Sequence, residues 1–228
     1  MLAGITPKTL AIALSKLQGF SDPKVSVEQY CTDPTIAAEV IYRASTLGDV
    51  AERVITDLGA GTGLLGLGCA LAGAKEVSLV EQDREALEIA AQNVLQVKEW
   101  MNSEKHHPVQ IHTICANITE FTGKSETIIM NPPFGTKQKH ADRPFFLKAF
   151  ELAPVIYVFA KSSTREFVRK VSLDHGYLMS HKWRYTRFPL PRSYGFHKKP
   201  RAWTDVTVFR LESESCAQKR KANRKDKS

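Results

Sequence analysis

Compact apolar runs and longer amphipathic segments take turns along this chain, and their periods predict most of its elements. Leu10, Leu14 and Leu17 recur at helical spacing behind Thr6-Pro7, a cap and first-turn pair, so a first helix starts there and ends before Gly19. A second helix follows Thr32-Asp33-Pro34 and carries Ile36, Val40 and Ile41. Beyond it, strands are predicted at 54–58, 77–81, 109–115, 127–130 and 155–160. Helices are predicted between and after them at 64–72, 84–97, 143–152 and 163–173. Short apolar runs separated by amphipathic helices predict an α/β fold, a mainly parallel sheet with helices on both faces. Segments 177–188 and 203–211 alternate with period two, as antiparallel strands closing a seven-stranded sheet. The polar stretch 98–108 predicts a loop, and no segment repeats.

At 228 residues and 43% hydrophobic content the chain can bury a sizeable core as one domain. That domain is expected over 1–211, with a helical cap formed by 1–50. From residue 212 the composition turns polar and basic, and 219–227 offers nothing to bury, so 212–228 is expected to be a disordered tail. Such a tail suits a nuclear-localisation patch or a sequence-blind RNA contact. No run is long enough to span a bilayer and the amino terminus lacks a signal pattern. The expected location is therefore intracellular, in the nucleus, the cytoplasm or both. The cysteines at 31, 69, 115 and 216 show no paired metal spacing, and the histidines show no ligand spacing. Neither a disulfide framework nor a metal site is expected.

The chemistry concentrates at two strand ends. Asp57-Leu58-Gly59-Ala60-Gly61-Thr62-Gly63 joins the strand at 54–58 to the helix at 64–72. Alternate glycines let the backbone turn tightly and approach a ligand, and the helix N-terminus presents free N–H groups. Glu81 ends the next strand, about twenty residues on, where an acid can bind ribose hydroxyls. Gly61-Thr62-Gly63-Leu64-Leu65-Gly66 satisfies the nicotinamide dinucleotide fingerprint equally well, so the loop alone leaves two cofactors open. Asn131-Pro132-Pro133-Phe134, after the apolar run Ile128-Ile129-Met130, separates them. Two prolines stop the strand and restrict the residue before them. The Asn131 amide and the Pro132 carbonyl become two fixed acceptors beside an aromatic ring. Paired acceptors suit an exocyclic amino group on a planar base and are of no use to hydride transfer.

The glycine loop, Glu81 and the N-P-P-F run together resemble class I S-adenosylmethionine-dependent amino methyltransferases. Glu28-Gln29-Tyr30-Cys31-Thr32, Asn131 through Lys137, Lys161-Ser162-Ser163-Thr164-Arg165-Glu166 and Phe196-His197-Lys198-Lys199 occur in that order. The set resembles the small-subunit rRNA adenine N6-methyltransferases of the methyltransferase-like protein 5 type, over roughly Leu10 to Leu211. The resemblance implies a Rossmann-like fold and S-adenosyl-L-methionine as cofactor. It implies Gln29 and Thr32 in a segment closing over the cofactor, with Asp57, Gly59, Gly61, Thr62 and Leu64 beside its methionine and ribose portions. Glu81 is implied as the ribose acid. Asn131, Pro132, Pro133 and Phe134 are implied as the target-adenine pocket, with Phe134 stacking on the ring. The family's acid for the cofactor's adenine amino group is replaced here by Ala116-Asn117, where the Asn117 amide oxygen could accept the same hydrogen bond.

The formal net charge of +8 gathers late in the chain. Lys182, Arg184 and Arg187 interleave with Trp183, Tyr185 and Phe188, a composition that suits phosphate contacts and base stacking, or simply a solvated basic face. Lys161, Arg165, His197, Lys198 and Lys199 are the expected RNA contacts. The basic half favours ribosomal RNA over the alternatives with the same NH2 group, DNA adenine, cytosine or a protein glutamine amide. In the family's sheet order the strand at 109–115 is an edge, rich in Val, Ile and Thr, which invites pairing with another chain unless 98–108 shields it. The resemblance implies a small zinc-binding activator protein as that heterodimer partner.

Overall fold

The structure is a computed structural model that describes residues 5–24, 28–103, 108–135, 141–189 and 203–225. Helix α1 spans Pro7–Leu14 and is closed by a Thr6/Thr9 capping box. Helix α2 spans Pro34–Thr46, with the Asp33 carboxylate accepting from the Thr35 and Ile36 N–H groups and Pro34 filling the first turn. The alternating unit then runs β1 (Val54–Leu58), α3 (Leu64–Leu71), β2 (Glu76–Glu81), α4 (Arg84–Ser103), β3 (Gln110–Cys115) and β4 (Thr127–Met130). It continues through α5 (Arg143–Leu152), β5 (Val155–Lys161), a 3-10 turn at Ser162–Thr164 and α6 (Arg165–Asp174). Two long strands, β6 (Tyr177–Pro189) and β7 (Trp203–Ser213), precede a last helix, α7 (Glu214–Lys225).

The sheet has seven strands in the order β3-β2-β1-β4-β5-β7-β6. The first five in that order are parallel, while β7 pairs antiparallel with both β5 and β6. Parallel pairing sets the carboxyl ends of β1, β2, β4 and β5 along one rim, and helices bury the sheet from both sides. One core holds Leu10, Leu14 and Ile41 of the opening helices with Leu67 and Ala70 of α3, and the other packs Phe146, Ala149 and Val168 behind the sheet. Strands β1, β2, β4 and β5 are buried along nearly their whole length, as their unbroken apolar runs require. Strand β3 is one edge of the sheet and β6 the other, and most residues of β3 are exposed. No described helix is long and apolar enough to cross a membrane.

Two expectations are corrected here. Residues 98–103 are not loop but the last turns of α4, because Met101 continues the buried stripe of Val94 and Val97. Residues 212–225 are not disordered but end β7 and form α7. The local composition is basic, yet Arg220 finds partners far away in sequence: its guanidinium pairs with Asp49 and donates to the Leu47 carbonyl, and it also pairs with the nearby Glu212. Ala217 of the same helix is buried.

Asp49, just after α2, is 2% exposed and gathers this end of the molecule. Its carboxylate accepts from Tyr157 Oη of β5 at 2.7 Å and from Arg210 Nε of β7 at 2.7 Å, besides Arg220, and its backbone carbonyl accepts from Thr127 Oγ1 of β4 at 2.8 Å. Arg210 is 1% exposed and also donates to Ser180 Oγ and Glu212. Every member is satisfied, so the network binds the amino-terminal helices to the carboxy-terminal strands. Removing one partner strands a buried charge. Asp49→Ala is expected to lower the unfolding free energy by about 3–5 kcal/mol, and Arg220→Ala, at the solvent edge, by on the order of 1 kcal/mol. Urea melts of both variants check the ranking, and equal losses contradict it.

Candidate functional site

A cavity of about 590 Å³ opens over the carboxyl rim of β1, β2 and β4. The loop from Gly59 to Gly63 forms one wall. Gly59 and Ala60 donate their N–H groups to the Val80 carbonyl, at 2.9 and 3.0 Å, so the loop folds over the end of β2. Gly59 has φ +72° and Gly61 φ +55°, and a Cβ at either would lie 2.8 Å and 2.7 Å from the rings of Phe145 and Phe20 respectively. Only glycine fits the loop on both counts. Glu81 ends β2 with one carboxylate oxygen accepting from Gly61 N–H at 2.9 Å and the other from Asp83 N–H at 2.9 Å. Its carboxylate is thereby fixed at the rim, with lone pairs left for hydroxyl groups.

Asp57 and Thr62 also face this cavity, as does Leu64 at the start of α3, where Gly63 takes the left-handed N-cap position. The Asp57 carboxylate accepts from Gly66 N–H at 2.8 Å. Asn117 lines the cavity with Ile118 and Thr119, whereas Ala116 is tied by its N–H to the Glu81 carbonyl and lies outside the lining. The Asn117 amide oxygen accepts from Thr119 N–H and Oγ1, and its Nδ2 donates to Gln82. The acceptor that the sequence offers to an adenine amino group is therefore already capping a turn.

A strap of residues 28–32 crosses the cavity and is pinned at both ends. Gln29 Nε2 donates to Asp83 Oδ2 at 2.6 Å, and Lys24 pairs with the same carboxylate at 2.8 Å, which holds Asp83 below the usual carboxylate range. On the other side Phe134 N–H donates to Glu28 Oε2 at 2.7 Å, and Asn131 Nδ2 donates to Thr32 Oγ1 at 2.9 Å. Thr32 is 5% exposed. With its nitrogen engaged, the Asn131 amide leaves Oδ1 buried and without a partner among the described residues. Acceptors are seldom stranded in this way, so this atom faces a place where a donor belongs.

Of the N-P-P-F run, Asn131 and Pro133 line the cavity while Pro132 is buried. Phe134 is 8% exposed and its ring packs 5.2 Å from Tyr30 and 6.2 Å from Phe188. It braces the site from behind and does not line the cavity. Among the described side chains, the interleaved aromatic and basic residues of β6 separate to opposite faces, by strand alternation up to Tyr185 and through a register shift before Phe188. Trp183 turns inward, parallel to Tyr157 at 6.2 Å and under the Arg43 guanidinium, and Phe188 is fully buried. Lys182 and Arg184 stay outside, Arg184 paired with Asp205. These aromatics are core, not a base-stacking platform. Lys161 ends β5 half-buried and Arg165 begins α6 exposed, both on the rim side of the sheet. His197, Lys198 and Lys199 lie outside the described residues. Sequence reasoning did not assign Phe20, Glu28, Tyr30, Asp83 or Phe145, all of which line the cavity. Glu28 and Tyr30 flank Gln29 in the quoted E-Q-Y-C-T run, which was the available signal; Phe20 and Phe145 had none.

The methyltransferase small domain family matches residues 38–152. Over 207 residues the chain is 35% identical to the rRNA N6-adenosine-methyltransferase METTL5 of Danio rerio, covering 90% of this chain and 97% of that protein. An uncharacterised protein of Methanocaldococcus jannaschii, MJ0284, is 32% identical over 220 residues, 91% of this chain and 94% of the other. Among solved structures, PH1948 from Pyrococcus horikoshii aligns with a TM-score of 0.82 at 39% identity, covering 92% of this chain and 98% of that one.

The burial of Asp57 has a measurable consequence. Desolvation pushes its carboxyl up to about 7, with the Gly66 N–H opposing and the Glu81 charge adding, against about 3.9 in an unfolded chain. The folded state thus holds a proton that the unfolded state gives up, a stabilisation complete below about pH 4 and lost as pH rises through about 7. Asp57→Asn keeps an acceptor for Gly66 and removes the titration. Thermal melts at about pH 5 and about pH 8 should show a larger drop in wild type than in the variant; parallel drops refute the assignment.

Proposed function

The chain belongs to the methyltransferase small domain family, and from its kinship with rRNA N6-adenosine-methyltransferases we propose that it methylates N6 of an adenosine in small-subunit ribosomal RNA. Its seven-stranded, mainly parallel sheet is the class I methyltransferase fold. S-adenosylmethionine is the cofactor, supplying a methyl carbon on a sulfonium sulfur. The cavity fits it: a loop closed to any Cβ, a fixed carboxylate at Glu81 for ribose hydroxyls, and a buried acid at Asp57. Gly59, Gly61, Thr62 and Leu64 are assigned to its methionine and ribose portions, with Gln29 and Thr32 closing over it and Asn117 beside its adenine.

The observation that carries the reading is the stranded Asn131 Oδ1. An amino nitrogen conjugated to a purine is a poor nucleophile. Asn131 Oδ1 and the Pro132 carbonyl accept its two hydrogens, which returns electron density to nitrogen and orients its lone pair without a strong base. Thr32 makes this possible by holding the amide nitrogen, so the oxygen cannot rotate away. The base must leave its stack to arrive there. Lys161, Arg165, His197, Lys198 and Lys199 grip the flanking phosphates. DNA adenine or a glutamine amide offers the same NH2 group, but a chain of net charge +8 favours nucleic acid, and a ribosomal RNA substrate places the enzyme in the nucleus, the cytoplasm or both.

Among the described residues strand β3 pairs only with β2 and leaves its other edge open, rich in β-branched residues. We assign this edge to the small zinc-binding activator as heterodimer partner.

Asn131→Ala should lower turnover about a hundredfold or more, the scale of one preorganised polar contact, while calorimetric titration finds S-adenosylmethionine affinity preserved. Lost cofactor binding, or unchanged turnover, overturns the assignment. Co-expression with the activator should raise soluble yield and activity, and Ile111→Pro should abolish that gain; indifference to the activator removes the partner.

A further inference from the structure

A second buried polar atom, the hydroxyl of Tyr30, a residue that lines the same cavity, has no hydrogen-bond partner among the described residues. Its ring is wedged 5.2 Å from Phe134 and 6.3 Å from Phe188, on the N-P-P-F side of the cavity and not among the glycines. Its neighbours in the strap are pinned, Gln29 to Asp83 and Thr32 to Asn131, and Glu28 holds a left-handed φ of +56° that glycine would adopt more cheaply. The hydroxyl therefore cannot swing out to water without breaking the strap. Burial and the nearby Glu28 charge push its titration well above the usual tyrosine range, so it remains an O–H donor at any working pH.

Resting on the adenine reading above, we infer that Tyr30 is a specificity-determining residue, its O–H donating to the ring nitrogen beside the amino group that Asn131 Oδ1 accepts. The two stranded atoms form an acceptor and a donor. Adenine presents the complement, an amino donor flanked by the ring acceptors N1 and N7, and an acceptor–donor pair is the pattern that reads an adenine edge in nucleic-acid recognition. Guanine carries a carbonyl at that position, which would set an acceptor against Asn131 Oδ1. The contact thus selects the base, in addition to orienting its nitrogen.

The test combines Tyr30→Phe, which keeps the ring packing, with RNA oligomers containing adenosine, 7-deazaadenosine or 1-deazaadenosine at the target position. Wild type should lose about tenfold in kcat/KM on one of the deaza substrates, which identifies the nitrogen read. Tyr30→Phe should lose a similar factor on adenosine and nothing further on that deaza substrate, since the two changes delete one hydrogen bond. Calorimetry should find S-adenosylmethionine affinity unchanged in the variant. Full wild-type activity on both deaza substrates overturns the inference regardless of how the variant folds. So does a variant whose only defect is weaker cofactor binding. Failure of wild type to methylate the adenosine oligomer, or an Asn131→Ala enzyme as active as wild type, instead defeats the underlying adenine reading.

Discussion

Parallel pairing in register is the constraint from which the site follows. It lines up Leu58, Glu81 and Met130 at one rim, so three loops that lie far apart in sequence leave the sheet side by side. The glycine loop follows the first, the Glu81–Asp83 turn the second and N-P-P-F the third. A one-residue slip in any of these pairings would turn Ile55 and Val77 from one core to the other, and Ile128 the opposite way, and break the packing on both faces. Register is thus enforced by burial, and the rim geometry is inherited from it.

The opposite end of the sheet carries the other long-range tie. Asp49 joins β5, β7 and α7 through Tyr157, Arg210 and Arg220, and its carbonyl meets Thr127 at the start of β4. Charge is buried there with every partner present, which favours one arrangement over near alternatives. The cavity lies at the far end of the same strands. Load-carrying polarity at one pole leaves the other free to strand acceptors and donors for a ligand.

Stranding those groups is a local cost that the strap offsets. Gln29 bonds across to the turn after β2, and Glu28 and Thr32 bond to the loop after β4, so the amino-terminal segment fixes the Asn131 amide as well as roofing the cavity. Phe134, Tyr30 and Phe188 form the apolar support behind it. The chemistry attributed to N-P-P-F is therefore shared with residues a hundred positions earlier.

The alternation of apolar runs and amphipathic helices, the glycines, Glu81 and N-P-P-F were all legible in the linear chain, because each is a local pattern: period, turn chemistry, or a residue type at a fixed offset. Strand positions agreed to within a residue or two for the same reason. Three features were decided only by the folded molecule. The basic carboxy-terminal segment reads as unable to bury anything, yet becomes helix because Asp49 waits for Arg220. Trp183 and Tyr185 look like a nucleic-acid surface until the β6 alternation turns them inward. Phe134, which its motif suggests as a stacking platform, is packed behind the site, and Tyr30, to which no motif assigned a role, keeps a buried hydroxyl without a partner among the described residues. Each of these depends on which distant group meets the side chain, and distance in space is what a linear pattern does not carry.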